Sequence, residues 1–233
     1  MLRLILENDF CGVLAEGVKT ALPNPNTELY EKLIAAGVPL VFVHGGYPSL
    51  KNVACIDDDN SAGAYMLTRY LINKGHTHIS GIFKSDDIQG HQRYLGFVTA
   101  LIDAHLPIPD DAIMWFSTED KYAIIEHGDT TRLKSFIRSN VKGSTAVVAY
   151  NDEIAYYLIR ELDNAHIGVP EQLAVVSFDN SHYCALSRIP ITSLGHDGQT
   201  SGAAAAQFLL SAMDGGKAPE AKLTWTLHQR QSS

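Results

Sequence analysis

The chain has 233 residues, 45% of them hydrophobic and 19% charged, with 26 acidic against 18 basic residues and a net charge of −8. That composition closes a globular core and excludes disordered and collagen-like architectures. The acidic balance, with no basic stripe, excludes a phosphate-binding face on these residues, and no window approaches the ~18 uninterrupted apolar residues of a membrane span.

Taken in chain order, residues 1–8 read as the tail of a helix feeding a first strand. Strands of Val, Ile and Phe character are expected at 10–15, 40–43, 79–83, 112–116, 145–149 and 173–178, with final strand-like stretches at 191–194 and 223–227. Helical patterns lie between them at 27–36, 61–74, 90–104, 121–139, 153–165 and 202–213. Gly75 follows the helix at 61–74 as its C-cap, and Gly215-Gly216 stop the last one. Strands alternating with helices imply βαβ units and a parallel sheet. Cys11, Cys55 and Cys184 are widely spaced and read as reduced, packed thiols. The N-terminal apolar run is too short for a signal peptide and has no small-residue cleavage site, so a cytoplasmic protein is expected.

Open parallel sheets bind ligands at the carboxyl ends of their strands. The residues there are Glu16 and Lys19; His44; Lys84, Asp87, Gln89 and then Arg93; Asn151 and Asp152; Asp179, Asn180 and His182; and His196. Carboxylates, amides, imidazoles and a guanidinium are the groups that hydrogen-bond a polyhydroxylated ligand. Each also has a plainer reading. Asn151 and Asp152 equally cap the following helix, Asp179-Asn180-Ser181 equally makes a turn, and Asp57-Asp58-Asp59 serves the N-terminus of the next helix. No dinucleotide, P-loop, nucleophile-elbow or zinc-protease motif is present, nor Cys and His spacing for a metal. No cofactor or catalytic residue is therefore assigned.

Seven segments then stand in order: AGVPLVFV at 36–43, DNSAG at 59–63, LINKGHTHI at 71–79, RYLGF at 93–97, YNDEIA at 150–155, VPEQLAVVSFDNS at 169–181 and RQSS at 230–233. Together they resemble the effector-binding domain of the LacI/GalR repressor family, from about residue 10 to the last residue. GIFKSDDIQG at 81–90, EGVK at 16–19 and YNDE at 150–153 are most similar to the arabinose-responsive repressors, which join a GntR-type DNA-binding domain to this module. His44 stands where such repressors would carry Asn.

The resemblance implies an α/β fold of the type I periplasmic-binding-protein kind. It has two doubly wound parallel-sheet subdomains, residues 1–77 with 195–217 and residues 78–194 with 218–233. The family's first strands would precede Met1, leaving the first subdomain incomplete and the DNA-binding domain outside this chain. It also implies that a small sugar, L-arabinose, binds in a cleft between the subdomains. The contacts carried over are Glu16, His44, Gln89, Arg93, Asn151, Asp179 and His196. Arg93 and Asp179 would clamp the sugar, Lys19, Lys84 and Asp87 would sit nearby, and Phe116 or Tyr122 would stack on its apolar face. A homodimer that reaches operator DNA only through the absent domain is expected. Two other classes stay open: a solute-binding protein of a sugar transporter, and a sugar-modifying enzyme using Asp179 and His182 as an acid–base pair.

Overall fold

The computed structural model describes residues 1–8, 10–108, 110–139, 141, 143–197, 200–214 and 222–233. In order they form α1 (Leu2–Leu6), β1 (Val13–Glu16), α2 (Thr27–Ala35), β2 (Leu40–Val43), β3 (Ala54–Asp58), α3 (Asn60–Asn73), β4 (Ile79–Lys84) and α4 (Ile88–Asp103). Then come β5 (Ile113–Phe116), α5 (Thr118–His127), α6 (Thr131–Ser139), β6 (Ala146–Val148), α7 (Asp152–Asn164), β7 (Ala174–Phe178) and α8 (Tyr183–Leu186). Last are β8 (Thr192–Gly195), α9 (Ser201–Met213), β9 (Lys222–Leu223) and β10 (Thr226–His228). Two compact units result: Met1–Asp59, Asp86–Gln89 and Asp197–Thr224 make the first, and Asn60–Ser85, Gly90–His196 and Trp225–Ser233 the second.

The first unit holds a sheet of order β1-β2-β3-β9, parallel throughout. Side chains alternate across β2. Leu40 and Phe42 pack with Tyr30 and Leu33 of α2 and with Tyr47, while Val41 meets Ile56, Leu223 and Ala204, Ala205 and Phe208 of α9. A period of two with both sets apolar is what a strand covered on two faces requires.

The second unit holds six strands in the order β10-β8-β7-β6-β4-β5, all parallel except β10. Ile82, Val147 and Val175 face Leu133 and Phe136 of α6 and Leu158 and Leu162 of α7. Ile79, Phe83, Val148 and Val176 face Leu67 and Leu71 of α3 and Phe97 and Leu101 of α4. This is a doubly wound sheet. The chain leaves β4 toward β5 on one side and returns to β6 on the other, so the strand order reverses at the carboxyl ends of β4 and β6. A crevice at such a switch point is where open α/β sheets bind ligands.

Several expectations are corrected. β3 has no counterpart among the expected strands: Asp57 and Asp58 are its last residues, and Asp58 is buried. The first change of unit falls after Asp59 rather than after residue 77, because Ala64, Leu67 and Leu71 of α3 pack with Phe83 and Phe97. The single helix expected over 121–139 is two. Gly128 takes φ 65 and ends α5 as a left-handed C-cap, a conformation that costs glycine little. The strand expected over 223–227 divides into β9 and β10 in different sheets. Cys184 is buried, but Cys11 and Cys55 are exposed. The expected stop at Gly215-Gly216 lies outside the described residues. Among the described residues no helix is long and apolar enough to cross a membrane.

Candidate functional site

The site of the second unit starts from a close approach. A Cβ on Gly90 would lie 1.9 Å from the carbonyl oxygen of Lys84, so only glycine lets α4 begin this close to the end of β4. One turn later Arg93 is 3% exposed. Its Nε donates to Oδ1 of Asn60 at 2.9 Å, and its Nη1 to the carbonyl of Tyr150, two residues past β6. Nη2 stands 3.5 Å from Oδ1 of Asp179, an ion pair rather than a strong hydrogen bond. The rings of Phe178, Tyr150 and Trp225 surround the guanidinium, its carbon lying 4.2, 4.9 and 5.9 Å from their centroids. Cation–π attraction and charge-assisted hydrogen bonds offset the cost of burying this cation, and each grows as water is removed.

Asp179 follows β7 with φ 95, and Asn180 follows with φ 47. The Asp179 carboxylate is 43% exposed, so one charged acceptor faces solvent beside a buried charged donor. His196, beyond β8, stacks on Trp225 with centroids 4.1 Å apart and planes at 27°. Asn151 is the N-cap of α7, its Oδ1 accepting from the N–H of Ile154 at 3.1 Å. Asp152 beside it is 1% exposed. It accepts from Ser177 Oγ, from Ser193 Oγ at 2.6 Å and from the N–H of Ser181 at 2.6 Å. Burial first, and then the charge of Asp152, push the Cys184 thiol up to about 12, which keeps it an unreactive thiol.

In the first unit the register Glu16↔Val43 places exposed Glu16 beside the strand end that carries His44. His44 has φ 57, and both ring nitrogens have protein partners: Nδ1 meets Oδ2 of Asp58 at 3.2 Å, and Nε2 meets Oγ of Ser201 at 2.9 Å. Asp87 Oδ1 accepts from the N–H of Thr20 at 3.3 Å, and Thr20 Oγ1 accepts from the N–H of Ile88 at 3.0 Å. Lys19 takes φ 55 in that loop, and Gln89 is the second residue of α4.

Of the residues singled out, Arg93, Asp179 and His196 therefore gather with Trp225, and the Asn151 backbone follows the carbonyl that Arg93 holds. Lys84 ends β4 and is buried, while Tyr122 is exposed on α5. Phe116 is 1% exposed and packs edge-on against Tyr150 in the core, so its ring has no open face on which a ligand could stack. Asn60 and Trp225 are the components the sequence reading misses. Asn60 stood within the DNSAG motif without a role, and Trp225 lay in a stretch read only as a strand. Among the described residues no cluster of His, Cys, Asp and Glu could hold a metal ion.

The comparisons with known proteins bear on this geometry. The model of the periplasmic binding protein-like domain family matches residues 68–233, most of the second unit and part of the first. The chain belongs to that family. This periplasmic binding protein-like chain is 31% identical over 213 residues to the arabinose metabolism transcriptional repressor of Halalkalibacterium halodurans, covering 91% of this chain and 56% of that protein. It is 30% identical over 212 residues to the transcriptional repressor PurR of Vibrio parahaemolyticus, covering 88% of this chain and 60% of that one. The solved transcriptional regulator CelR in complex with cellobiose superposes with a TM-score of 0.78 at 25% identity, covering 96% of this chain and 66% of that chain. The chain thus spans somewhat more than half the length of the curated relatives it matches.

Proposed function

We propose that this chain is the effector-sensing part of a sugar-responsive transcriptional repressor, with L-arabinose as the effector. The observation that carries the reading is the buried, aromatic-walled Arg93 beside the exposed Asp179 carboxylate at a strand-order reversal. A pentose offers vicinal hydroxyls and a ring oxygen. Arg93 and Asp179 would supply a fixed donor and a fixed acceptor to them, and the Asn151 amide would supply a further donor. Glu16, Gln89 and His196 are proposed as further polar contacts, with Lys19, Lys84, Asp87 and Tyr122 near them. His44 would reach a sugar only by exchanging a partner it already has, so we assign it to holding Asp58 and Ser201. The resemblance to the arabinose metabolism repressor and to a cellobiose-bound regulator supports the sugar class.

On this reading no bond of the sugar is made or broken, and no catalytic residue is needed. Effector binding would favour one conformation over another, and operator affinity would follow by linkage, because only differential affinity for two states does work. DNA contact would come from residues other than these, in keeping with their net charge of −8. A homodimer in the cytoplasm is the proposed setting.

Calorimetric titration with L-arabinose, against D-xylose and D-galactose, tests the reading. Saturable heat with arabinose alone is the expected result; no heat from any of the three overturns it. Arg93→Lys keeps the charge but loses the planar fork, so arabinose affinity should fall about tenfold or more. An unchanged affinity would remove Arg93 from the site.

A further inference from the structure

We infer that Arg230 is a positioning residue for effector recognition, holding Asn180 and through it the backbone that presents the Asp179 carboxylate beside Arg93. The inference rests on the effector-sensing reading above and adds a residue far from Arg93 in sequence. Asp179 and Asn180 are consecutive non-glycine residues with φ 95 and 47. Side chains with a Cβ disfavour that region, and asparagine and aspartate tolerate it only better than most, so the surrounding structure must hold two in succession there.

Three contacts do so. The N–H of Asp179 donates to the Leu194 carbonyl at 2.8 Å, and the N–H of Asn180 to Ser193 Oγ at 3.1 Å. The Asn180 side chain then accepts at Oδ1 from Arg230 Nη2 at 2.5 Å. A Cβ on Gly195 would lie 2.5 Å from the Asn180 Cβ, so the absence of a side chain at 195 gives Asn180 its place against the end of β8.

Arg230 is itself rigidly mounted. Its backbone N–H donates to Thr192 Oγ1 at 2.9 Å and its Nη1 to the Ile191 carbonyl at 2.8 Å. Two residues on, Ser232 is fully buried, its Oγ accepting from the N–H of Thr192 at 2.8 Å and donating to the Val175 carbonyl at 2.5 Å. The guanidinium therefore bridges a fixed carbonyl and the Asn180 amide with two N–H groups of one plane, a geometry an ammonium cannot copy. The Asp179 carboxylate, fixed in direction by the backbone beneath it, is the exposed acceptor of the site. Freeing that backbone would leave the carboxylate present but unaimed.

The test combines hydrogen exchange and arabinose titration on the whole chain. Arg230→Gln keeps a stem and one donor. It should speed exchange of the Asp179 and Asn180 amides about tenfold while Ser177 in β7 keeps its protection, and should weaken arabinose binding about tenfold. Arg230→Lys should recover only part of either. Asn180→Gly removes the acceptor that Arg230 holds, so it should weaken arabinose binding about as Arg230→Gln does, and adding Arg230→Gln to it should cost no further affinity. Unchanged amides at 179 and 180 in Arg230→Gln overturn the positioning role. So does an equal loss of affinity on the Asn180→Gly background, which would mark Arg230 as structural support only. Faster exchange with unaltered affinity also overturns it. A parent chain that binds none of the sugars takes down the effector reading, and with it any role for Arg230 in recognition, while the exchange result still reports separately whether Arg230 holds the loop.

Discussion

Asp152 shows what a single buried carboxylate does in this fold. It is acceptor-only when ionised, and it receives two hydroxyls and one backbone N–H, from Ser177, Ser193 and Ser181. Asp152→Asn keeps the shape but turns one oxygen into a donor, which either faces the Ser181 N–H or forces both serine hydroxyls to turn from donating to accepting. Stability should drop by about 1–3 kcal/mol, the penalty for leaving a buried group unpaired, measured as a lower urea midpoint with unchanged slope. The same carboxylate shapes the alkaline limb. Burial and Asp152 raise the Cys184 thiol from 9.0 to about 12, and burial and Glu153 raise the Tyr183 hydroxyl from 10.0 to about 12. The folded chain then holds protons that the unfolded chain has lost, so stability from these groups is complete below pH 9 and drains away as pH rises toward 12. Cys184→Ala should flatten the fall of melting temperature above pH 9; an unaltered slope would exclude the thiol as its cause.

At the scale of elements, the crossing of α3 and α4 is set by Gly96, where a Cβ would lie 2.0 Å from the Ser61 carbonyl and 2.9 Å from the Tyr65 nitrogen. Two effects compete in Gly96→Ala. Alanine gains about 1 kcal/mol of helix propensity, while overpacking against backbone costs about 1–3 kcal/mol or more. The obstacle is a main-chain carbonyl that cannot rotate aside, so the clash wins and the urea midpoint should fall; a rise would show that the helices separate freely. The same pair of helices marks what was legible beforehand. Strands covered on both faces stand out as apolar runs, β2 unbroken and β7 broken only at Ser177, and Arg93 and Asp179 are found because both follow such strands. β3 does not stand out, because two of its five residues are aspartates and one of these is buried by pairing with His44. Pairing of that kind depends on a residue 14 positions away, which no local pattern carries. Asn60 and Trp225 escape notice for the same reason: their part in the site exists through residues distant in sequence, Arg93 for both and His196 for Trp225.

For the whole molecule, a bound effector should act as a stabiliser whose strength is set by mass action. A ligand that binds the folded chain and not the unfolded one adds RT ln(1 + [L]/Kd), about 2.7 kcal/mol at a hundredfold excess over Kd. For a chain of this length each kcal/mol moves the melting temperature by about 2–4 °C, so saturating arabinose should raise it by roughly 5–10 °C. The increment must grow with the logarithm of sugar concentration, which separates binding from the shallow, nearly linear effect of sugars as excluded osmolytes. D-xylose and D-galactose at equal concentration supply that osmolyte baseline. Arg93→Lys should return the arabinose curve toward it, because the charge-assisted bonds at the switch point are what the sugar would gain on entering. An arabinose curve that coincides with the other two in the parent chain would mean that the site, however well built around Arg93, recognises something else.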